Sequence, residues 1–279
     1  MPSTWPWWAL GGILASTVFL WTLFTQPSPF LPVLELLAWS GVVRCWARSG
    51  CHLRLVPSRV SASLSGLVLA AVAGVLLLAR PTSLAYGLPL AVGLAMALLA
   101  LPLRQLWRAA KPLALLTIPA FPLLLRWVLP EPLLSRATAA TSAFLLQLIG
   151  LDALALGPYL ALGDGGVRVA GACGGTEDIA FLLAVALLLT LTQPPLVFQR
   201  VAFLVLLAPC LGFLVNAIRV ALLAVVFRQG GWWTQQAFPS LHEGYGALLF
   251  SFIAVVVLVW MDGLVRSRWL VSLKNSSTA

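Results

Sequence analysis

Eight apolar runs follow one another along the chain, at about 5–24, 30–43, 60–79, 84–101, 112–129, 178–192, 201–227 and 245–261. A helix of about 20 residues, rising 1.5 Å per residue, crosses the roughly 30 Å hydrocarbon core of a bilayer. Inside lipid each backbone polar group must find its partner within its own segment, which leaves the helix as the form for such runs. The chain is therefore expected to be an all-α polytopic membrane protein with about eight transmembrane helices. Composition agrees: 61% of the 279 residues are hydrophobic and 9% are charged, against about 25% charged in soluble domains.

The net charge of +9 does not point to nucleic acid, because the basic residues sit in short loops between apolar runs and form no single face. The four cysteines lie in different settings and make no disulfide framework. Cys45, Cys51 and His52 lack the fourth ligand of a structural zinc site. No metal and no cofactor are expected, and no Walker, dinucleotide-binding or His-Glu-x-x-His pattern occurs.

Charge placement gives a topology. With both termini cytoplasmic, the inner segments collect Arg44, Arg48, Arg54, Arg59, Arg104, Arg108, Lys111, Arg200, Arg266, Arg268 and Lys274, which are 11 of the 17 basic residues. Glu131, Asp152, Asp164, Glu177, Asp178 and Glu243 then lie outside. Trp5-Pro6-Trp7-Trp8 reads as an interfacial anchor of a retained first span, not a signal peptide. Glu35 reads as a residue near the interface. Pro119 and Pro122 are expected to bend the fifth span. From 133 to 168 the chain is more polar: residues 136–149 read as a re-entrant or interfacial helix, and Val167 and Val169 as a short strand leading to Cys173.

Three polar residues stand out against this background. Cys173 lies in the small-residue turn Ala170-Gly171-Ala172-Cys173-Gly174-Gly175 at the outer mouth of a helix, where the dipole and free N–H groups favour a thiolate. Glu177, one turn on, would oppose that, and a nearby arginine would offset it. Arg219 follows Arg200 by 19 residues, a climb of roughly 28 Å along a helix, so it reaches the outer boundary too. His242 opens the last apolar run from the same side. A thiol, a cation and a group that moves protons near neutral pH are what an acyl-transfer site needs. Asn216, at i, i+3 from Arg219, can orient Arg219, donate to an oxyanion or pack the helix.

These residues resemble the exosortase/archaeosortase family of membrane cysteine transpeptidases. The matching elements are Ala172-Cys173-Gly174-Gly175, where the family has Ala-Cys-Ser-Gly; Asn216-x-x-Arg219; and His242-Glu243-x-x-Gly246, where it often has His-Asp-x-x-Gly. The resemblance covers roughly Leu113 to Met261. It implies three parts: N-terminal membrane helices over 1–111, a catalytic membrane region over 112–265 and a cytoplasmic tail over 266–279. It implies Cys173, Arg219 and His242 as the catalytic set, with Asn216, Glu177, Gly174, Gly175 and Gly246 in support. It also implies a prokaryotic cytoplasmic membrane, membrane lipids as surroundings, and exported proteins with C-terminal sorting tails as substrates; the acceptor is open. Other classes compatible with the residues are a transporter using Glu35, Arg219 and His242, a thiol-dependent lipid acyltransferase, and a non-catalytic assembly factor.

Overall fold

The computed structural model describes residues 5–25, 30–49, 59–77, 83–163, 165–193, 198–231, 238–242 and 245–276. Cys51, His52, Arg54, Asp164, Glu243 and residues 26–29, 78–82, 194–197 and 232–237 lie outside them. The chain forms two compact units, residues 1–123 and 124–279.

The first unit holds α1 (Trp5–Thr25), α2 (Phe30–Ser49), α3 (Arg59–Leu77), α4 (Leu88–Ala100) and α5 (Ala110–Leu116). Its core is apolar, with Val18, Leu31, Val72, Ala85, Leu88 and Val92 buried together. Close approach fixes the packing of α4: a Cβ on Gly93 would lie 2.1 Å from Leu116 Cδ1. Ser65 Oγ donates to Ala95 O at 3.0 Å and ties α3 to α4. Glu35 is fully buried and accepts a 2.9 Å hydrogen bond from Thr22 of α1. Thr22, one helix away, is the partner that accompanies this burial.

Past Thr117 the run turns through a short 3-10 segment, Ile118–Ala120, into α6 (Phe121–Val128). Leu103–Leu116 and Ile118–Val128 meet at 43°, the bend expected from Pro119 and Pro122. Among the described residues three helices are long and apolar enough to cross a membrane: Ser83–Ala100, Phe198–Gln229 and Gly246–Ser267. The bent pair makes up to four, and Gly11–Thr25 and Ala62–Leu76 are shorter apolar helices.

The second unit is built on α9 (Phe198–Gln229), against which α7 (Glu131–Leu148), α8 (Thr176–Thr192) and α11 (Tyr245–Ser276) pack. Gly212 makes this possible on the α8 side, since a Cβ there would come within 2.8 Å of Ile179 Cα. At one end of α9 the guanidinium of Arg200 is buried and forks onto Asp262 of α11, with Nε–Oδ1 2.6 Å and NH2–Oδ2 2.8 Å. Arg200 was expected in a cytoplasmic turn. It lies in the first turn of α9 instead, because a buried carboxylate on α11 stands ready to receive it.

One sequence expectation changes here. The strand expected at Val167 and Val169 is the last of three: β1 (Ala153–Leu156), β2 (Tyr159–Leu162) and β3 (Gly165–Arg168) form an antiparallel sheet in that order. The fold is thus predominantly helical, with a small sheet added to the expected all-α architecture. Four-residue strands that are apolar on both faces, with Leu160 and Leu162 buried but Leu154 and Leu156 exposed, show no alternation in the sequence. Within the helix expected at 136–149, Thr138 and Ser142 are buried, as is Ser135 just before it, while Gln147 is exposed. Ser142 Oγ donates to Ala217 O of α9 at 2.8 Å.

Candidate active site

The sheet rests on α7 and α9 and feeds the chain into the turn that carries Cys173. Val169 N donates to Pro158 O at 2.8 Å, which pins the exit from β3. Ala170 is extended, and Gly171–Gly174 then close one 3-10 turn. Cys173 is 0% exposed and shares the apolar cluster of Ala143, Leu160, Val169 and Val220. Gly175 follows at φ +93°, the left-handed region, and α8 begins at Thr176. A Cβ on Gly175 would also lie 2.7 Å from Asn216 Nδ2, so this position needs glycine twice over.

The residues singled out in the sequence converge on this turn from three elements. His242 Nδ1 lies 3.0 Å from Cys173 Sγ. It ends a short separate helix, α10 (Phe238–His242), and does not open α11 as the sequence suggested. Its ring stacks on Phe238 at 5.4 Å, and Phe238 meets Phe227 of α9 edge to face at 5.8 Å. Two aromatic contacts therefore hold the imidazole against the thiol. Gly246 sits in the first turn of α11, just beyond.

Asn216 and Arg219 lie one turn apart on α9. Asn216 Nδ2 donates to Cys173 O at 2.9 Å, and Asn216 Oδ1 accepts from Arg219 NH2 at 2.9 Å. Asn216 therefore ties the nucleophile turn to the cation. Arg219 is 1% exposed, and the charge of its guanidinium acts on the Cys173 thiol. Burial pushes the thiol up from its ordinary range, the Arg219 charge opposes that, and the Asp178 carboxylate adds to it. The net shift is upward, with burial its largest cause, and so runs against the thiolate-favouring effect of a helix mouth.

The acid beside the site is Asp178, not Glu177. Asp178 is 1% exposed, with Oδ2 at 3.7 Å from Arg219 NH2 and Oδ1 accepting from Ser251 Oγ of α11. Glu177 turns the other way and pairs with Arg126 of α6. Adjacent residues on a helix point about 100° apart, which is why one acid faces the core of the unit and the other its surface.

Sequence reasoning left the part played by Asp178 open, placed Glu131 only among the outer acids, and missed Ser251, Thr138, Ser135 and Arg126 as neighbours of the turn. Thr138 Oγ1 donates to Gly174 O at 3.2 Å, and Glu131 Oε1 accepts from Gly171 N at 2.7 Å. So α7 holds the turn at both ends. The one sequence signal was the run of hydroxyls at 135, 138 and 142, which fall on one helical face. Beside the turn lies a cavity of about 240 Å³ lined by Arg126, Leu129, Glu131, Gly171, Thr176 and Glu177.

A family model described as transmembrane exosortase matches residues 31–259. No curated protein and no solved structure gives a significant match.

Proposed function

The chain belongs to the transmembrane exosortase family, and on that premise we propose that it is a membrane-embedded cysteine transpeptidase. Its substrates are exported proteins with a C-terminal tail made of a short motif, a transmembrane helix and a basic cluster. It cuts at the motif and passes the new carboxyl end to an acceptor. On the sequence-based topology of eight crossings with both termini in the cytoplasm, the Cys173 turn would face outward, where such a tail would present its motif.

The observation that carries the reading is the 3.0 Å approach of Cys173 Sγ to His242 Nδ1, with Arg219 acting on the same thiol. The imidazole takes the thiol proton as sulfur attacks the scissile carbonyl carbon. The carbonyl π electrons move onto oxygen, and the Arg219 guanidinium stabilises the oxyanion. Collapse breaks the C–N bond, and the imidazolium gives its proton to the leaving amine. A thioester to Cys173 remains. His242 then takes a proton from the acceptor as it attacks, the thiolate leaves, and the proton returns to sulfur. The raised thiol makes the imidazole necessary: without a base in contact, little thiolate forms at neutral pH.

Co-expression with a reporter carrying a motif–helix–basic tail tests this. The expected result is loss of the tail, by intact mass, with the wild type and an uncut reporter with Cys173→Ala. Cleavage that persists in Cys173→Ala overturns the nucleophile assignment. Transport or acylation without any cut in the reporter chain favours the other two classes.

A further inference from the structure

We propose that Asp178 is a positioning residue of this reaction: held by Ser251, its carboxylate anchors the Arg219 guanidinium where the oxyanion forms at Cys173. The proposal rests on the reading of Cys173 as nucleophile and Arg219 as oxyanion partner. It concerns a residue that the motifs of the resemblance do not include.

Three elements meet at this carboxylate. Asp178 lies in the first turn of α8, Arg219 comes from α9 at 3.7 Å, and Ser251 comes from α11 and donates to the other oxygen. Both charged side chains are 1% exposed. A guanidinium buried to that degree needs an anion or several acceptors. Arg219 has an acceptor on its own helix, Asn216 Oδ1. A carboxylate from another helix adds an anion on the α8 side, whose attraction in this buried setting favours one placement of the guanidinium. At 3.7 Å Asp178 Oδ2 is an ion-pair partner of Arg219 and not a hydrogen-bond acceptor, and Ser251, donating to Oδ1, keeps the carboxylate from turning away.

The geometry of α8 and α9 supports the assignment. Gly212 lets the α9 backbone approach Asp178 O and Ile179, with a Cβ there only 2.9 Å from Asp178 O. Gly212, Asn216 and Arg219 fall at i, i+4 and i+7, on one helical face. The missing side chain at 212 thus sets how near the carboxylate sits to the guanidinium. Among the described residues, the charged and titratable groups around Asp178 are Arg219 from α9, Glu177 on its own helix, and the thiol of Cys173. The Asp178 charge disfavours the thiolate, so its contribution runs through Arg219 and not through sulfur directly.

A double-mutant cycle on full-length protein tests this: Asp178→Asn, Arg219→Gln and the pair. Two rates are read, reporter cleavage and iodoacetamide alkylation of Cys173, and the second needs no substrate. Asp178→Asn is expected to lower kcat about 100-fold when Arg219 is present, the cost of misplacing a transition-state partner, with KM little changed. In Arg219→Gln it is expected to cost less than about 3-fold, because the residue it positions is gone. Alkylation should likewise change by unequal factors in the two backgrounds. Equal factors on both rates overturn the proposal and leave Asp178 a packing residue. If Asp178→Asn does not fold, Ser251→Ala and Ser251→Thr decide the same point. Ser251→Ala is expected to lower kcat about 10-fold, the loss of one hydrogen bond to a charged group, and Ser251→Thr to restore it; wild-type kcat in Ser251→Ala overturns the proposal. If the wild type cuts no tail, the functional reading fails while the alkylation cycle still decides whether Asp178 acts through Arg219.

Discussion

Cys173 Sγ and His242 Nδ1 stand 3.0 Å apart although 69 residues separate them in the chain. Neither lies inside a long helix: one belongs to a 3-10 turn fed by a sheet, the other to a short helix stacked on an aromatic pair. Helix packing brings Arg219 to them, and Asn216 makes the link to the Cys173 backbone. The contact between thiol and imidazole sets the first expectation.

His242→Ala is expected to lower reporter cleavage by about 10²–10⁴-fold, the usual contribution of a general acid–base. The folded protein should remain, since His242 is only half-buried. Single-turnover cleavage against an unchanged melting temperature in detergent checks it.

Arg219 holds the thiol lower than burial alone would. The sign of its removal follows: Arg219→Gln takes away a stabiliser of the thiolate, so the midpoint of Cys173 alkylation moves to higher pH and alkylation at pH 7 slows. Iodoacetamide rates across pH, read by peptide mass spectrometry, measure this. A midpoint that stays or falls would sink the assigned role.

Gly175→Ala is expected to abolish cleavage while Gly171→Ala is tolerated better. Both positions are left-handed, but only at 175 does a Cβ strike Asn216, at 2.7 Å, while nothing lies within 4 Å at 171. The backbone strain common to both is about 1–2 kcal/mol. Comparing thermal stability with cleavage separates that shared strain from loss of the Asn216 bridge.

At Gly174, where the resembled family has serine, a Cβ would lie 3.2 Å from Ser135 Oγ. A serine at 174 is therefore expected to make Ser135 shift or rotate, so the effect of Gly174→Ser on activity should depend on whether residue 135 is Ser or Gly. Cleavage rates of the four combinations give the coupling; additive effects would mean that Ser135 does not govern residue 174.

Arg200 and Asp262 form a buried pair at the other end of α9. Asp262→Asn leaves a buried cation short of its anion and should destabilise the protein by about 3–5 kcal/mol. Arg200→Met with Asp262→Leu should recover most of that, since an apolar pair has no charge to compensate. Unfolding midpoints in one detergent compare the three.

The order of apolar runs, the proline bend near 119 and the three polar residues that meet at the turn were legible in the sequence. The resemblance rested on short motifs at Cys173, Asn216, Arg219 and His242, and those four side chains do come together. Of the sheet only the strand at Val167 was legible; β1 and β2 are too short and too uniformly apolar to show a period. Glu177 and Asp178 were equally acidic in the sequence; only the rotation of α8 against α9 separates the one that meets Arg219 from the one that meets Arg126.

The sequence by itself determined that this chain is a helical membrane protein and which residues were free to carry chemistry. Hydropathy and charge are local properties, summed along the chain, and polar groups in apolar runs are conspicuous because lipid offers them no partner. The tertiary structure decided which partner each polar group found: Thr22 for Glu35, Asp262 for Arg200, Asp178 and Asn216 for Arg219. Those choices depend on helix rotation and on close approach at Gly175 and Gly212, where a missing Cβ brings two segments together. Such contacts couple residues far apart in the chain, and no local property of either residue contains them.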